Sequence, residues 1–543
     1  MTETRKNSFY VQGTILAAAS IITRILGIAL RIPLTRLIGE EGIGAYSNAY
    51  EIYNLAMLLS TYSIPIAVSK LVSARESKKE YCNSYRVFQV ALLFSLVVGA
   101  IVASVVFFWA DFFAQKMFRS ASSAIPLRYL APTIFVFSAM GVLRGYFQGK
   151  NTVVPTSLSQ ILEQVVHVAV GLGAAVLFQR AHSTSPHMAA YGAAGGTFGT
   201  LCGAVASLLF LVGIYALYAP VMKRRFRRDC GAPKERYSAL LVVLLMTILP
   251  IILNQTLYSV SGTMDSFLLN TILDSKGFDE ATRLVLWGRY SSKYRLLSNV
   301  PLAISSAIGV AIVPNIVIAY TSGDQQTLLK KTAQSVKFNM MIAIPCAFGL
   351  ASLATPIMQV LFRDMTRMTP LLMQTGATAI VLYAYATTTS NVLQGMSKMR
   401  YPVIHATIAL AVYVVADVVL LKFTNLGVYV LIVGHTLFPL VVSVLNGLRI
   451  RKELSYRQEW KRTFLLPVLC SSVMAFISYF FYRGLFVIIK SRVVCLCAAV
   501  LVAVAVYFVL MLLTKAMNRE ELYELPMGRR IAVFAEKLGL LHE

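Results

Sequence analysis

The sequence is poor in charged residues, and it lacks the cysteine spacings and nucleotide-binding motifs on which many soluble enzymes and metal proteins depend. Only 14% of its 543 residues are charged, and acidic residues number 24 against 50 lysines and arginines. The seven cysteines are scattered, and no pair has the spacing of a metal site or a redox motif. We expect them to be buried as small apolar residues. No GxxxxGK(S/T) loop is present, which argues against a protein driven directly by ATP.

Apolar sequence, in contrast, is abundant. Apolar residues make up 57% of the chain and the mean hydropathy is +0.68, more than a soluble globular domain needs. A hydrophobic run of about 20 residues crosses a bilayer as a helix, and the fold class is therefore an all-α polytopic membrane protein. We predict about 14 transmembrane helices, at 11–32, 43–69, 85–110, 126–148, 155–179, 189–219, 238–270, 290–319, 336–361, 370–396, 402–423, 427–448, 463–483 and 491–514.

The net charge of +26 follows from membrane topology. The lysines and arginines lie mostly in short segments between spans, with an excess on the side of the N-terminus, so no nucleic-acid partner is needed to explain them. This bias places both termini in the cytoplasm. Arg5 and Lys6 precede a first span that is longer than the apolar core of a signal peptide, and no cleavage site of the A-x-A type follows, so we expect no cleaved signal peptide.

The chain repeats its own landmarks. The motif Gly44-Ala-Tyr-Ser-Asn-Ala-Tyr50 opens the second span, and Gly288-Arg-Tyr-Ser-Ser-Lys-Tyr294 opens the eighth, 244 residues later. Gln148-Gly149 closes span four, and Gln394-Gly395 closes span ten. Because six spans separate the copies, both have the same orientation. The repeat predicts two six-helix lobes in a pseudo-two-fold arrangement about an axis along the membrane normal.

The repeat also gives domain boundaries. Outside it lie two C-terminal helices and a tail, in which one helical face predicts an interfacial helix through Ile531, Phe534, Ala535 and Leu538. The predicted domains are an N-terminal lobe at 1–220, a basic cytoplasmic linker at 221–237, a C-terminal lobe at 238–450, spans 13 and 14 at 451–515, and a cytoplasmic tail at 516–543.

Charged side chains within the predicted spans are the candidate site, because a charge at mid-membrane costs about 2.5–3.5 kcal/mol. The first span carries Arg24 and Arg31, and we predict that they line a transporter cavity for an anionic substrate. The alternative is that they snorkel to an interface or form structural ion pairs. Glu163 and His167 are equally compatible with a structural i, i+4 pair. The candidate cavity residues are Arg24, Arg31, Glu51, Tyr50, Asn54, Glu163, Lys293 and Arg295, and none is assigned a catalytic role.

Span six is rich in glycine. Overlapping G-x-x-x-G pairs run through Gly192 and Gly196 and through Gly195, Gly199 and Gly203. This pattern predicts close helix packing rather than a phosphate-binding loop.

Two motifs are similar to those of a known family. Thr23-Arg-Ile-Leu-Gly27, followed by Arg31 and by 38–46, resembles the stage V sporulation protein B branch of the MOP (MATE-like) flippases. Leu143-Arg-Gly-Tyr-Phe-Gln-Gly149, followed by 155–164, does so as well. The resemblance implies a flippase, not an enzyme, which exports a lipid-linked oligosaccharide across the bacterial plasma membrane by alternating access. It favours the peptidoglycan precursor lipid II, as in the MurJ group, with a role in cell-wall synthesis or sporulation.

The resemblance also implies roles for particular residues. In the MurJ group, arginines of the first and eighth helices meet the pyrophosphate of the substrate; Arg24 matches the first, and Arg295 matches the other within one residue. A second arginine of the first helix falls at Leu30 here, one place before Arg31. Asp265 and Asp417 match carboxylates of a family sodium site, which implies Na⁺ or H⁺ coupling alongside the membrane potential.

The implied partners are the lipid-linked glycan and the bilayer, without nucleic acid or ATP; the oligomeric state is left open. One alternative is a flippase for another envelope polysaccharide precursor. A second is a MATE-type drug/cation antiporter, which predicts a cavity dominated by carboxylates and aromatics rather than arginines. A third is a membrane glycosyltransferase, which needs catalytic carboxylates or histidines on a sizeable external loop, whereas the predicted external loops are short.

Overall fold

The computed structural model describes residues 3–226, 229, 233–455 and 458–514. It is 89% helical, with no strand among the described residues. Ten stretches of this part of the chain are long and apolar enough to cross a membrane, and the first, Ile22–Ser77, covers the second half of predicted span one and all of span two. The all-α, multi-pass class is confirmed, while the number of crossings stays a prediction.

The chain divides into two compact units, of which the first is Met1–Ser292. Its first helix contains predicted span one and most of span two, whose end lies in the next helix. It is broken between the two spans at Gly39, whose φ of 73° is the left-handed conformation that glycine tolerates. The helices of this unit are α1 (Glu3–Ser60), α2 (Ile64–Ser77), α3 (Tyr81–Phe108), α4 (Ala110–Phe118), α5 (Ala124–Gly149), α6 (Val154–Ala181), α7 (Met188–Phe226), α8 (Tyr237–Ser275) and α9 (Glu280–Arg289).

The second unit is Lys293–Glu543. A π-helical turn, Tyr290–Tyr294, leads into its first helix. Its helices are α10 (Arg295–Thr321), α11 (Gln325–Ser352), α12 (Ala354–Phe362), α13 (Met368–Gly395), α14 (Arg400–Phe423), α15 (Tyr429–Leu454), α16 (Leu466–Ile489) and α17 (Arg492–Leu513). The interfacial helix predicted through Ile531, Phe534, Ala535 and Leu538 lies outside the described residues.

The division into units falls elsewhere than the predicted lobe boundary. Helix α8, which follows the basic linker, packs against α1 and α3 and so belongs to the first unit. The lobes at 1–220 and 238–450, defined by the repeat, stay a prediction.

The internal repeat is present in the structure. Helices α3 and α11 both have 28 residues and begin 244 residues apart; α4 and α12 both have nine and keep the same offset. Each short helix ends at an arginine in the left-handed conformation, Arg119 with φ 49° and Arg363 with φ 54°. The two halves therefore share helix lengths and helix ends, which confirms the repeat for these elements.

The repeat extends to packing. A Cβ atom built on Gly149 of α5 would lie 2.7 Å from Val72 of α2, and one built on Gly395 of α13 would lie 2.7 Å from Ile316 of α10. Val72 and Ile316 are themselves 244 residues apart. In each half, a glycine thus allows equivalent helices to approach closely.

The surface of the last two helices is apolar. Phe476 of α16 is 65% exposed, and Leu501 and Val504 of α17 are 70% and 64% exposed. Soluble monomers rarely expose contiguous apolar patches of this kind, because contact of apolar side chains with water is unfavourable. Contact of the same side chains with lipid tails carries no such penalty. These helices therefore suit a multi-pass membrane protein.

The end of the basic linker is held on the first unit. Arg75 of α2 donates two hydrogen bonds to the Glu235 carboxylate, at 2.7 and 2.6 Å. The backbone N–H of Glu235 donates to Asn83 of α3 at 3.1 Å. The hydrogen bond from Arg75 holds the pKa of Glu235 below its usual value. A bidentate arginine contact is geometrically specific, and it fixes the chain just before α8 begins.

The glycines of span six pack as predicted. Cβ atoms built on Gly195 and Gly199 of α7 would each lie 2.4 Å from the backbone of α6, and one on Gly203 would lie 2.5 Å from the Glu163 carbonyl. Real Cβ atoms do not tolerate such distances. The G-x-x-x-G pattern therefore marks a helix contact, as the sequence analysis indicated.

We expect Gly199→Ala to destabilise the protein by about 1–3 kcal/mol, because the added methyl overpacks the α6–α7 contact. Gly213 lies on the same helix with nothing within 4 Å of its built Cβ, so Gly213→Ala should stabilise by about 0.5–1 kcal/mol instead. Thermal unfolding of the purified variants in detergent measures both. Equal shifts for the two variants would contradict the packing argument.

Candidate functional site

Arg24 and Asn54 both have exposed side chains on α1. Each lies within a predicted span, where lipid contact for a charge or an amide is costly. An exposed arginine in that position suits a surface that contacts water or an anionic ligand. This placement is compatible with the predicted cavity, and the assignment of both residues to it stays a prediction.

Arg31 has a defined environment in the first unit. Its guanidinium donates to the hydroxyl of Ser292 at 3.0 Å and to that of Ser47 at 3.4 Å. It also lies over the rings of Tyr46 and Tyr50, 4.8 and 5.9 Å from their centroids. Stacking on aromatic rings favours arginine over lysine. Arg31 thus connects the second half of α1 with the π-helical turn.

Tyr50 links the residues around Arg31 to helices α6 and α7. Its ring lies 4.5 Å from that of Tyr46, and its hydroxyl forms a hydrogen bond with Thr200 of α7. The Thr200 hydroxyl in turn bonds His167 Nε2 at 3.0 Å. The predicted cavity residues Arg31 and Tyr50 are therefore brought together, with Tyr46, Thr200 and His167 as neighbours that were not on the candidate set.

Glu163 is ion-paired. Arg144 of α5 donates to its carboxylate at 2.8 Å and to the hydroxyls of Ser159 and Ser207, both at 3.1 Å. His167 instead shares its hydrogen bond with Thr200. The alternative of a Glu163–His167 pair is therefore not what the structure contains. The partner, Arg144, belongs to the motif at 143–149 but was missed as a site residue.

Two other acidic candidates of the first unit accept hydrogen bonds from neighbouring residues. Thr263 of α8 donates to the Glu51 carboxylate at 3.4 Å. Tyr290 of the π-helical turn donates to the Asp265 carboxylate at 3.2 Å, and Asp265 is buried. Both carboxylates thus lie where α8 meets another element of the unit.

Lys293 forms a buried ion pair in the second unit. Its ammonium lies 2.6 Å from the Asp364 carboxylate, and both side chains are 2% exposed. Burial opposes the charged form of Asp364, but hydrogen bonds from Lys293, Thr369 and Thr366 outweigh it and hold the pKa of this carboxyl at about 2. Lys293 is a predicted cavity residue, whereas Asp364 was not among the candidates. The one sequence signal for Asp364 is that a lysine within a span needs a countercharge.

Arg295 and Asp417 are the remaining candidates of the second unit. Arg295 is half-buried at the first residue of α10, and Asp417 is fully buried in α14. A Cβ built on Gly434 of α15 would lie 2.5 Å from both Asp417 oxygens. Glycine at 434 therefore provides the space that this carboxylate occupies.

The described residues contain no group of three or more His, Cys, Asp or Glu that could hold a metal ion. A sodium ion at Asp265 or Asp417 would have to take its other ligands from hydroxyl, carbonyl or water oxygens. Sodium or proton coupling thus stays a prediction.

The chain is similar to known proteins along most of its length. The family model described as polysaccharide biosynthesis protein matches residues 11–320. Stage V sporulation protein B of Bacillus subtilis (strain 168) is 24% identical over 535 residues, which cover 96% of this chain and 99% of that protein. The lipid II flippase MurJ of the same organism is 25% identical over 495 residues, covering 86% and 87%.

Solved structures show the same fold. The lipid II flippase MurJ in an inward closed conformation aligns with a TM-score of 0.64 at 16% identity, covering 92% of this chain and 98% of that one. An inward-facing multidrug resistance MATE transporter of the MOP superfamily aligns with a TM-score of 0.63 at 16% identity, covering 80% and 94%. The MurJ and MATE structures therefore share the fold of this chain. The family model covers more than half of the chain, and this multi-pass membrane protein belongs to the polysaccharide biosynthesis protein family.

Proposed function

We propose that the protein is a flippase that moves a polyprenyl-pyrophosphate-linked oligosaccharide, most specifically lipid II, from the cytoplasmic to the outer leaflet. The observation that carries this proposal is Arg24. It is a permanently charged, exposed side chain within an apolar predicted span, in a chain similar over most of its length to a lipid II flippase. The protein acts as a transporter rather than as an enzyme.

The chemistry of the candidate residues suits this substrate. A pyrophosphate prefers planar, bidentate donors, which arginine supplies. Asn54, also exposed on α1, offers a hydrogen-bonding group for a sugar. The lipid tail stays in the bilayer while the head group crosses between repeats that rock around a central site.

The membrane potential favours this direction of transport. With both termini in the cytoplasm of a bacterial plasma membrane, two negative charges move outward along the interior-negative potential. Each charge gains roughly 2.3 kcal/mol per 100 mV. Cation binding at Asp265 or Asp417 would then reset the empty carrier.

A drug/cation antiporter is the second candidate, because a MATE transporter aligns almost as well in structure as MurJ does. Two features favour the flippase. The curated relatives that match almost the whole chain include sporulation and lipid II flippase proteins. The exposed charge of the first span is an arginine, which repels the cationic drugs that antiporters carry.

We expect the protein to restore growth of a bacterial strain depleted of its lipid II flippase. We also expect Arg24→Ala to slow head-group translocation in vesicles by roughly ten- to a hundredfold, the effect of losing one charge-assisted contact of about 1.5–3 kcal/mol. Arg36→Ala is the control, because Arg36 is exposed on the same helix near the end of the first span.

If Arg24→Ala translocates the head group as fast as the wild type, Arg24 does not contact the substrate. If the wild type inserts into the membrane but does not restore growth, the substrate is not lipid II. Translocation of other lipid-linked glycans would then be measured in the same vesicles. Export of a cationic dye without any head-group translocation would favour the antiporter.

A further inference from the structure

A group of basic side chains lies at one end of the second unit. It belongs to two short segments, 363–367 between α12 and α13, and 490–492 at the turn from α16 to α17. Its four members all have exposed side chains: Arg363, Arg367, Lys490 and Arg492. These four residues form the basic surface of the second unit.

Packing within the unit holds the two segments together. The Arg492 guanidinium donates to the sulfur of Met365 at 3.7 Å. Beneath the segments, Leu353, Tyr482 and Cys495 belong to one buried apolar cluster, which joins α12 to α16 and α17. The four bases therefore share one face of the protein because the helices that carry them pack against each other.

The predicted topology puts the basic surface on the outer side of the membrane. With a cytoplasmic N-terminus, odd-numbered spans run outward. The segment 363–367 follows predicted span nine, and the segment 490–492 follows predicted span thirteen. Lysines and arginines are in excess on the cytoplasmic side. Membrane topology therefore does not account for four bases on one outer surface.

No acidic side chain offsets this charge. Asp364 is the only acidic residue in the predicted outer segments of the second unit. Its carboxylate is 2% exposed and lies 2.6 Å from the Lys293 ammonium. None of the four bases forms an ion pair with a residue that the structure describes. At the opposite end of α13, in contrast, Lys398 and Arg449 both pair with Glu453.

Two of the four bases also oppose the dipole of their own helix. Arg367 is the N-cap residue of α13, and Arg492 is the first residue of α17. A positive charge there is unfavourable, because the helix dipole already places positive partial charge at the N-terminus. Arg363 and Lys490 follow the C-terminal ends of α12 and α16, where a cation is favoured. Helix stability therefore does not account for Arg367 and Arg492.

Apolar side chains border the basic surface. Met365 is exposed in the first segment, and Ile488 and Val493 are exposed on either side of the second. Apolar side chains at the end of a predicted span contact lipid tails, and basic side chains beside them reach the level of the lipid head groups. The occupant that fits both features is an outer-leaflet lipid with an anionic head group.

We propose that the basic surface binds the pyrophosphate head group of the exported lipid-linked glycan once this lipid has reached the outer leaflet. The inference rests on the proposed function, because that function delivers such a head group to this leaflet. A pyrophosphate presents two adjacent phosphates, and guanidinium groups bind phosphate oxygens through paired hydrogen bonds. A phospholipid with a single phosphate engages fewer of the four bases. None of these bases is a candidate cavity residue.

Head-group binding is measured at the surface itself. Met365→Cys places a thiol between Arg363 and Arg367, in an otherwise cysteine-free full-length chain in phosphatidylcholine nanodiscs. A bound head group shields this thiol from a water-soluble maleimide. We expect polyprenyl pyrophosphate in the disc to slow labelling several-fold at saturation. Leu426→Cys, at an exposed position in another predicted outer segment, is the control reporter and should label at an unchanged rate.

Removal of the charges should weaken this shielding. We expect Arg367→Gln and Arg492→Gln each to raise the half-saturating amount of polyprenyl pyrophosphate about fivefold, the effect of one basic side chain near a charged lipid. Arg367→Lys keeps the charge but not the planar fork, and should have a smaller effect than Arg367→Gln. Arg180→Gln is the matched control, because it removes an exposed charge from a predicted outer segment of the first unit. It should leave the half-saturating amount unchanged.

A second lipid identifies the source of the head group. Phosphatidylglycerol, added at the same total negative charge, should shield the thiol much less than polyprenyl pyrophosphate does. Equal shielding by phosphatidylglycerol overturns the pyrophosphate assignment and makes the surface a site for anionic phospholipid. If neither lipid shields the thiol, or if Arg367→Gln and Arg492→Gln leave the shielding unchanged, the basic surface binds no lipid head group.

The outer placement is tested in intact cells. The Met365→Cys reporter should react with a membrane-impermeant maleimide added outside, and labelling only after permeabilisation overturns the proposal. The proposed function fails separately, by absent head-group translocation in the wild type. Shielding in nanodiscs does not depend on translocation, since the lipid occupies both leaflets of a disc without a transporter.

Discussion

Asp364→Asn should lower the free energy of unfolding by about 3–5 kcal/mol, because it removes the carboxylate that the buried Lys293 ammonium faces. The two groups lie 2.6 Å apart with side chains 2% exposed. Because asparagine has nearly the same shape as aspartate, the loss of stability would come from the missing charge and not from altered packing. Thermal or denaturant unfolding in detergent gives the measurement. Asp111→Asn is the control, since the Asp111–Arg128 pair is about half exposed and should contribute under 1 kcal/mol.

A double variant tests whether Lys293 and Asp364 act as a pair. Lys293→Met combined with Asp364→Asn should be less destabilised than the sum of the single variants, because neither buried charge is then left without its countercharge. Additive losses would show that the two residues act separately.

The difference between wild type and Asp364→Asn should also depend on pH. The pKa of Asp364 is about 2, below the usual value near 3.9. A depressed pKa stabilises the folded state fully above the usual value, and this contribution disappears as the pH falls through 2. The difference should therefore be constant from pH 8 to pH 5 and decrease below about pH 4. If the stability difference between wild type and Asp364→Asn vanished already near pH 6, a group other than Asp364 would be responsible for the pH dependence.

Hydropathy identified the cores of the helices well but not their ends. The predicted span at 155–179 lies within α6, Val154–Ala181, because a proline at the start and a polar segment at the end bound the apolar run. The predicted span at 336–361 instead covers parts of two helices. Helix α11 begins at Gln325, where Asp324 caps its N-terminus by accepting from Thr327, and α12 begins after Leu353. Amphipathic turns outside the apolar run leave no hydropathy signal.

The candidate site was predictable in its residue types but not in its pairing. A charge in a span indicates that some partner or cavity exists, and Glu163 and Lys293 were singled out on that basis. Their partners, Arg144 and Asp364, lie 19 and 71 residues away in sequence. Helical periodicity relates only residues three or four apart. The repeat likewise identified Gly44 and Gly288 as equivalent, but equivalence does not predict their contact, in which a Cβ built on Gly288 would lie 3.2 Å from the Gly44 nitrogen.

The Arg144–Glu163 pair provides the second large expected effect. Arg144→Gln should destabilise the protein by about 3–5 kcal/mol, since the Glu163 carboxylate is buried and would lose its countercharge. Arg144→Lys should recover little, because one ammonium cannot reproduce the planar fork that bonds Glu163, Ser159 and Ser207 together. Unfolding in detergent gives the size, and Arg180→Gln, at an exposed position near the end of α6, is the control.

The same pair separates a structural from a transport role for Glu163. Glu163→Gln removes the buried charge and keeps an oxygen that can accept from Arg144, so a purely structural carboxylate predicts a moderate loss of stability. Translocation per folded molecule would then stay near that of the wild type. A tenfold loss of translocation at unchanged stability would instead require the Glu163 charge in the transport cycle, as the sequence-based candidate set proposed. The ion pair with Arg144 favours the structural outcome, because this carboxylate is already neutralised by a guanidinium that two serine hydroxyls hold in place.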